Sequence, residues 1–304
     1  MSFSLKILGS NAAIAAHHRH QTSQLLTMMQ VPFLIDCGEG TQLRLKKFKI
    51  KSQRIDHILI SHLHGDHYYG LMGLISSLHL YGRTKELNIY APPGLKEIIS
   101  IQLKYSQSSL NYKINYREWI PGKSELLFEN VNLTVHSFPL DHRIDCSGFL
   151  FQEKPKKRRI KKGLLEKNIS PLKIIALKDG KDVLDEDGNV LLENRKYTME
   201  PAAQCSYAYC SDTKYTESIL PYIKNVDILY HEATFMEDMR ERAETTFHTT
   251  TRQAGEIAKK ASVKKLLIGH FSTRYKELEP MLEETKSVFE NSSLALEGET
   301  FTVE

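Results

Sequence analysis

The sequence predicts an α/β body interrupted by one inserted arm, and three observations carry that reading. Short apolar runs with strand character alternate with stretches whose apolar residues recur at helical spacing. The texture changes abruptly near residue 153, where seven of the nine residues from Lys154 to Lys162 are lysine or arginine. Several strand-like runs also end on histidine or aspartate, most densely in "ILISHLHGDHYYGL" at 58–71.

The chain opens with "FSLKILG", "SQLLTMM" and "FLIDCG", β-rich runs that each end in turn residues. A helix fits "GTQLRLKKFKI", a strand fits "HILISH", and residues 68–81 carry apolar groups at helical spacing. "LNIYAPPG" reads as strand and turn, and "LKEIISIQLKYSQ" as an amphipathic helix. Four strands follow in "INYREWI", "SELLF", "VNLTVHSFPL" and "GFLFQE". The arm, about 153–199, begins with the basic run and continues through "DGKDVLDEDGN", with two D-G turn signals. Pro155 and those turns argue for a small α+β unit on flexible stalks over one continuous helix. After Pro201 the pattern resumes with "CSYAYCSD", "VDILYHEATF", a helix from about Thr250 to Ala261, "KKLLIGHF", a helix near 276–290, and "SLALEGETFTV". The whole, residues 1–304, reads as one body of two similar halves carrying the arm as an insertion.

Bulk properties exclude some classes. A 41% hydrophobic and 26% charged composition suits a globular chain with a sizeable core, and a net charge of +4 alone implies no partner. No run of about 18 apolar residues is present, so no membrane helix is expected. Cys37, Cys146, Cys205 and Cys210 form no C-x-x-C pair and lie in or beside apolar runs. They read as buried free thiols of a cytoplasmic protein.

In "SHLHGDH" the groups His62, His64, Asp66 and His67 fall within six positions. On a continuing strand His62, His64 and Asp66 would share one face, and a tight turn at Gly65 would bring His67 inward. Imidazole and carboxylate suit zinc and similar ions. A solvated histidine-rich loop is the bland alternative. It loses weight because His142, Asp212 and His270 each close another strand-like run. His57, His79 and His231 read as structural, and His17, His18 and His20 are unplaced.

Taken together, H-x-H-x-D-H with these distant residues resembles the metallo-β-lactamase superfamily. The resemblance implies a four-layer αββα sandwich with a dinuclear metal site at one edge. It places His62, His64 and His142 on one ion and Asp66, His67 and His270 on the other, with Asp212 bridging both. Further motifs narrow the likeness to the ribonuclease Z family: "LIDCGEGTQ" at 34–42, "YCSDT" at 209–213, "HEATF" at 231–235, "FHTT" at 247–250 and "GHFSTRY" at 269–275. Two places depart from the family pattern. "AAHHRHQTS" replaces its segment near the first turn, where Arg19 would keep a basic contact, and "NISPLKIIALKDGKDV" replaces the arm's Gly-Pro-rich stretch.

This resemblance implies a homodimeric endoribonuclease with two Zn2+ per subunit, acting on precursor tRNA and not on DNA. Two ions lower the pKa of a water from 15.7 to roughly 7 and so supply a nucleophile. Asp66 would be the proton acceptor, His248 would assist the leaving ribose oxygen, and Glu232 would fix the His248 tautomer. The bland reading of His248 is a residue preceding the cap of the helix near 250. Lys154, Lys156, Lys157, Arg158, Arg159, Lys161 and Lys162 would grip tRNA phosphates, although a charge run alone is ordinarily a solvated loop. Two other classes compete: a small-molecule hydrolase of the same superfamily (a phosphodiesterase or glyoxalase II-like thioesterase), and a non-catalytic RNA-binding protein on the same fold.

Overall fold

The computed structural model describes residues 3–163, 169–201 and 203–303. Two compact units are present: residues 1–152 with 205–304, and residues 153–204. In the first, strands β1 (Phe3–Gly9), β2 (Ser23–Met28), β3 (Val31–Ile35), β4 (His57–Leu59), β5 (Leu87–Ala91) and β6 (Ile114–Glu118) come first. Interspersed are helices α1 (Thr41–Lys47), α2 (Gly65–Tyr68), α3 (Gly70–Leu80) and α4 (Leu95–Tyr105). Strands β7 (Glu125–Glu129), β8 (Leu133–Leu140) and β9 (Cys146–Glu153) lead to the second unit.

That unit holds β10 (Arg159–Ile160), α5 (Pro171–Lys178), β11 (Val183–Leu184), β12 (Val190–Leu192), α6 (Asn194–Tyr197) and β13 (Thr198–Met199). β10 pairs antiparallel with β13 and β11 with β12. Leu177 and Val183 form its small apolar centre, where the Asn194 side-chain amide donates to the Leu177 carbonyl. The unit extends to Gln204, beyond the end at 199 read from the sequence.

The chain then returns to the first unit through β14 (Ser206–Cys210), α7 (Leu220–Ile223), β15 (Ile228–Glu232), α8 (Arg240–Thr246), α9 (Thr251–Lys260), β16 (Lys265–Gly269), α10 (Glu279–Lys286), β17 (Ser292–Leu294) and β18 (Thr300–Phe301). Two seven-stranded sheets result, ordered β18-β1-β2-β3-β4-β5-β6 and β17-β16-β15-β14-β9-β8-β7. Each joins an antiparallel section to a parallel one: β3 to β6 are parallel, as are β14 to β17.

Period-2 alternation explains how the sheets stack. Tyr207 and Tyr209 of β14 enter the layer between the sheets, whereas Ala208 and Cys210 face the outer helices with Ile257 and Ala258 of α9. Phe33 and Ile35 of β3 likewise point between the sheets, while Leu34 packs outward with Leu71, Leu74 and Leu78 of α3. Three apolar layers thus separate four layers of structure, αββα. Each fully buried Leu, Ile or Phe contributes about 1.5–3 kcal/mol relative to exposure.

The helix expected over 68–81 is in two pieces, α2 and α3. Gly70 allows the junction, because a Cβ there would lie 2.0 Å from the Gly38 carbonyl oxygen. The C-terminal run "SLALEGETFTV" divides between sheets, β17 closing one and β18 the other. All four cysteines are buried and none forms a disulfide. Among the described residues no helix is long and apolar enough to cross a membrane.

Candidate metal centre and active site

The two parallel sections deliver their C-terminal ends to one edge of the sandwich, the position where open α/β sheets expose loops for binding. Asp36 follows β3, His62 and His64 follow β4, Asp212 follows β14, Glu232 ends β15, and His270 follows β16. His142 arrives from the end of β8. The strand ending at Leu59 does not continue through the H-x-H-x-D-H segment, contrary to the shared-face expectation. His62 and His64 lie in a loop, and Asp66 and His67 lie in α2, so a helical turn brings both sets inward. Gly65 serves close packing in place of a left-handed turn: a Cβ there would meet the Tyr69 ring at 2.3 Å.

The seven sequence-derived candidates gather into two sets. In the first, His62 Nε2 and His142 Nε2 lie 3.0 and 3.1 Å from His64 Nδ1, and 3.7 and 3.8 Å from Asp212 Oδ2. In the second, His67 Nε2 and His270 Nε2 are 3.4 Å apart, and each is 3.5 Å from Asp66 Oδ2. Asp212 Oδ1 lies 3.3 Å from His67 Nε2 and 3.1 Å from His270 Nε2. Asp212 therefore offers one oxygen to each set. A tetrahedral ion with bonds of about 2.0–2.1 Å spaces its ligands about 3.4 Å apart, in the range of these separations.

The opposite ring nitrogens are already engaged. Nδ1 of His62 meets Ser61 Oγ at 3.0 Å, and Nδ1 of His142 meets the Phe247 carbonyl at 3.0 Å. Nδ1 of His67 meets Asp36 Oδ2 at 2.7 Å, and Nδ1 of His270 meets Thr234 Oγ1 at 3.0 Å. A proton held at Nδ1 leaves the Nε2 lone pair directed at the shared space, the arrangement of metal-binding histidine. Burial, followed by neighbouring imidazoles, holds His62 well below the usual histidine range, and burial likewise lowers His64 and His142. Burial also acts against His67, yet Asp212, Asp66 and Asp36 hold it well above that range. With Asp36, Asp212 and Glu232 buried in a cluster where burial disfavours the charged forms of His62, His64 and His142, the donor set fits a cationic centre that offsets the carboxylates.

Beside it stands an acid–base pair. Phe247, at φ 59° after α8, turns the chain so that His248 faces the cleft, while the capping box of α9 belongs to Thr250 and Gln253. His248 Nδ1 lies 2.8 Å from Glu232 Oε1. Glu232 is fully buried and also accepts from Thr213 N at 3.0 Å and from Thr234 Oγ1 at 2.7 Å. Burial acts against the charge of His248, but Glu232 and then Asp212 raise it to about 9. Its surroundings therefore favour imidazolium.

Asp36, Thr234 and the Phe247 carbonyl are the functional groups that the sequence reading missed. Asp36 accepts from Ser61 N at 2.7 Å, Ser61 Oγ at 2.8 Å and Tyr209 OH at 2.6 Å. Its signal was the aspartate closing "FLID", the same strand-end placement that marked the ligands. Arg143, exposed beside His142, lines the cleft and was also missed. Arg19 was expected to keep a basic RNA contact. Instead its guanidinium donates to Asn11 Oδ1 and to the carbonyls of Tyr275 and Lys276, tying two loops together. His57 packs against Phe33, Phe128 and Tyr90, and His231 is buried with Nδ1 at 2.7 Å from the Glu232 carbonyl.

Within the second unit the basic run is partly committed. Lys156 pairs with Glu153, Lys157 with Asp179, and Arg158 with Glu200, while Lys161 Nζ donates to the Arg195 and Lys196 carbonyls. Arg159 and Lys162 lie in the same run, Arg159 in β10.

Two seven-stranded sheets between helices, with a two-set His/Asp centre at the strand ends, define a metallo-β-lactamase-fold protein. The model of a family described as "Anti-Pycsar protein Apyc1" matches residues 3–154, a span that includes His62 to His142 but not Asp212, His248 or His270. A ribonuclease Z of Cytophaga hutchinsonii is 48% identical and covers 100% of this chain and 97% of its own. One of Phocaeicola vulgatus is 42% identical, covering 99% and 98%. The crystal structure of human tRNase Z, short form, superposes with a TM-score of 0.72 at 25% identity, covering 99% of each chain. The chain belongs to the ribonuclease Z family, hydrolases that act on RNA.

Proposed function

We propose that the protein removes the 3′ trailer from precursor tRNA and leaves a 3′-hydroxyl on the tRNA. The observation that carries this reading is the pair of donor sets sharing Asp212, with the Glu232–His248 pair beside them, in a chain matched end to end by ribonucleases Z. His62, His64 and His142 would hold one zinc ion, and Asp66, His67 and His270 the other, with Asp212 between them. When bound, two such ions polarise the scissile phosphate and make water acidic enough to attack at neutral pH.

The chain's own groups complete the chemistry. Asp66 Oδ2 accepts from Ala13 N at 2.8 Å, which fixes the carboxylate so that its second oxygen takes the attacking water's proton. His248, with Nδ1 held by Glu232, presents Nε2 to the departing ribose 3′-oxygen and delivers a proton to it. That proton is what makes the product a hydroxyl. The cleft of about 480 Å³ that contains these groups also receives Arg143, an unpaired cation among the described residues suited to a phosphate.

The arm, residues 153–199, would bind tRNA through Lys154, Lys156, Lys157, Arg158, Arg159, Lys161 and Lys162. Of their ion pairs within the unit, Lys157–Asp179 is exposed and can be exchanged for phosphate at little cost, whereas Lys156 pairs with the buried Glu153 carboxylate. A homodimer in the cytoplasm is the proposed setting, the latter in keeping with four buried cysteines that form no disulfide. A small-molecule phosphodiesterase would use the same centre without the arm.

Incubation with a 3′-extended precursor tRNA, followed by mapping of both new ends, decides between them. A tRNA ending in a 3′-hydroxyl just after the discriminator base is expected. Hydrolysis of small diesters without any cut in the precursor would favour the alternative.

A further inference from the structure

We propose that Tyr69 and Ile14 form a stacking slot for a single nucleobase immediately flanking the scissile phosphate. The proposal rests on the ribonuclease reading and adds a subsite to it. Both side chains line the same cleft as His64, Asp66, Asp212 and His248. Both are open to solvent, Tyr69 at 65% and Ile14 at 61%, and neither joins any of the three apolar clusters. One exposed apolar side chain needs no explanation. Two lining a cleft that also carries His64, Asp66, Arg143, Asp212, His248 and His270 are matched to a ligand that has both charge and a flat apolar face. A nucleotide is such a ligand.

The two walls are also held in place before anything binds. The Tyr69 ring lies against the backbone of the ligand motif, since a Cβ on Gly65 would come within 2.3–2.7 Å of three of its ring carbons. Tyr68 braces it edge-on, with ring centroids 5.0 Å apart at 70°. The turn bearing Ile14 is pinned twice: Ala13 N donates to Asp66 Oδ2, and Asn11 Nδ2 donates to the Ile14 carbonyl, each at 2.8 Å. Both walls are thus anchored to the segment His64–Asp66 that forms the metal centre. A base held between them would fix the position of the phosphate next to it. Stacking on an aromatic ring accepts any base, as a processing enzyme with many tRNA substrates requires. Ordering the walls in advance reduces the entropy lost on binding.

The test couples a substitution in the protein to one in the RNA. Three precursor tRNAs are compared: unmodified, abasic at the nucleotide just 5′ of the cut, and abasic just 3′ of it. Tyr69→Ala should lower kcat/KM on the unmodified substrate by about tenfold, the order supplied by one stacked base. Tyr69→Phe should be near wild type. On one abasic substrate the wild-type protein should already show that loss, and Tyr69→Ala should add less than twofold. Ile14→Ser, which leaves the Gly65 packing untouched, should show the same coupling. An equal loss on all three RNAs would mean a structural role and overturn the slot, as would no loss on the unmodified one. A wild-type protein that cuts none of them would overturn the ribonuclease reading itself, and the slot with it.

Discussion

Asp36→Asn isolates the contribution of a group that touches no proposed ligand space directly. The carboxylate is fully buried and accepts from Ser61 N, Ser61 Oγ and Tyr209 OH, and it holds His67 Nδ1 at 2.7 Å. Asparagine has nearly the same shape but one oxygen and an NH2 group. Its oxygen can keep the Ser61 amide, and its two NH2 hydrogens then serve His67 Nδ1 and one of the hydroxyls of Ser61 and Tyr209, which can rotate to accept. His67 cannot rotate in this way. To accept at Nδ1 it must carry its proton on Nε2, the atom 3.4 Å from His270 Nε2 and 3.3 Å from Asp212 Oδ1. The lone pair that faces the second donor set is then lost. Zinc affinity of that set should fall by roughly 10–100-fold, the usual cost of losing a partner behind a ligand. The first set, which does not contact Asp36, should keep its affinity. Exchanging charge-assisted for neutral hydrogen bonds should also cost about 2–4 kcal/mol of stability. Zinc titration against a chromophoric chelator reads the two affinities, and denaturant unfolding of the metal-free protein reads the stability. Two ions bound with wild-type affinity would refute the tautomer argument.

Other perturbations reach other parts of the site. Because His248 is held at about 9, its acid form persists below that pH and is lost above it, so activity should have an alkaline limb there. Glu232→Gln removes the larger of the two raising charges, Asp212 remaining, and should move that limb down in pH, so that activity at pH 8 falls while activity well below the limb is kept; an unmoved limb would count against the pair. Replacing residues 154–198 by a Gly-Ser linker should leave small-diester hydrolysis within a few-fold while tRNA binding collapses. Its log K against log salt should flatten by roughly 0.7–0.9 per phosphate contact removed, and an unchanged slope would mean the basic run is only solvated. His64→Ala should reduce the metal content of a still-folded protein, checked by metal analysis and circular dichroism.

The His/Asp cluster was legible in the sequence because many of its members sit at strand ends, where an apolar run stops abruptly on His or Asp. His142, Asp212 and His270 were visible for that reason alone. The local conformation was harder: "SHLHGDH" has no apolar periodicity to separate an extended loop from the turn of α2, and the strand expectation failed there. The division of "SLALEGETFTV" between two sheets depends on pairing with β1 and β16, partners remote in sequence. The groups behind the ligands were the least legible. Thr234 and the Phe247 carbonyl matter only through what tertiary structure sets against them, and a carbonyl leaves no mark on a residue's identity. Arg19 shows the converse, a cation whose position suggested RNA and whose guanidinium donates to Asn11 Oδ1 and to two backbone carbonyls.

The central claim is that two cation sites share Asp212, and locating the ions in crystals of the zinc-loaded protein by anomalous scattering tests it most directly. The account predicts two peaks about 3.5–4 Å apart, one within bonding distance of each Asp212 oxygen. The first should lie among His62, His64 and His142, the second among Asp66, His67 and His270. A single peak at full zinc occupancy, or two that do not flank Asp212, would contradict it.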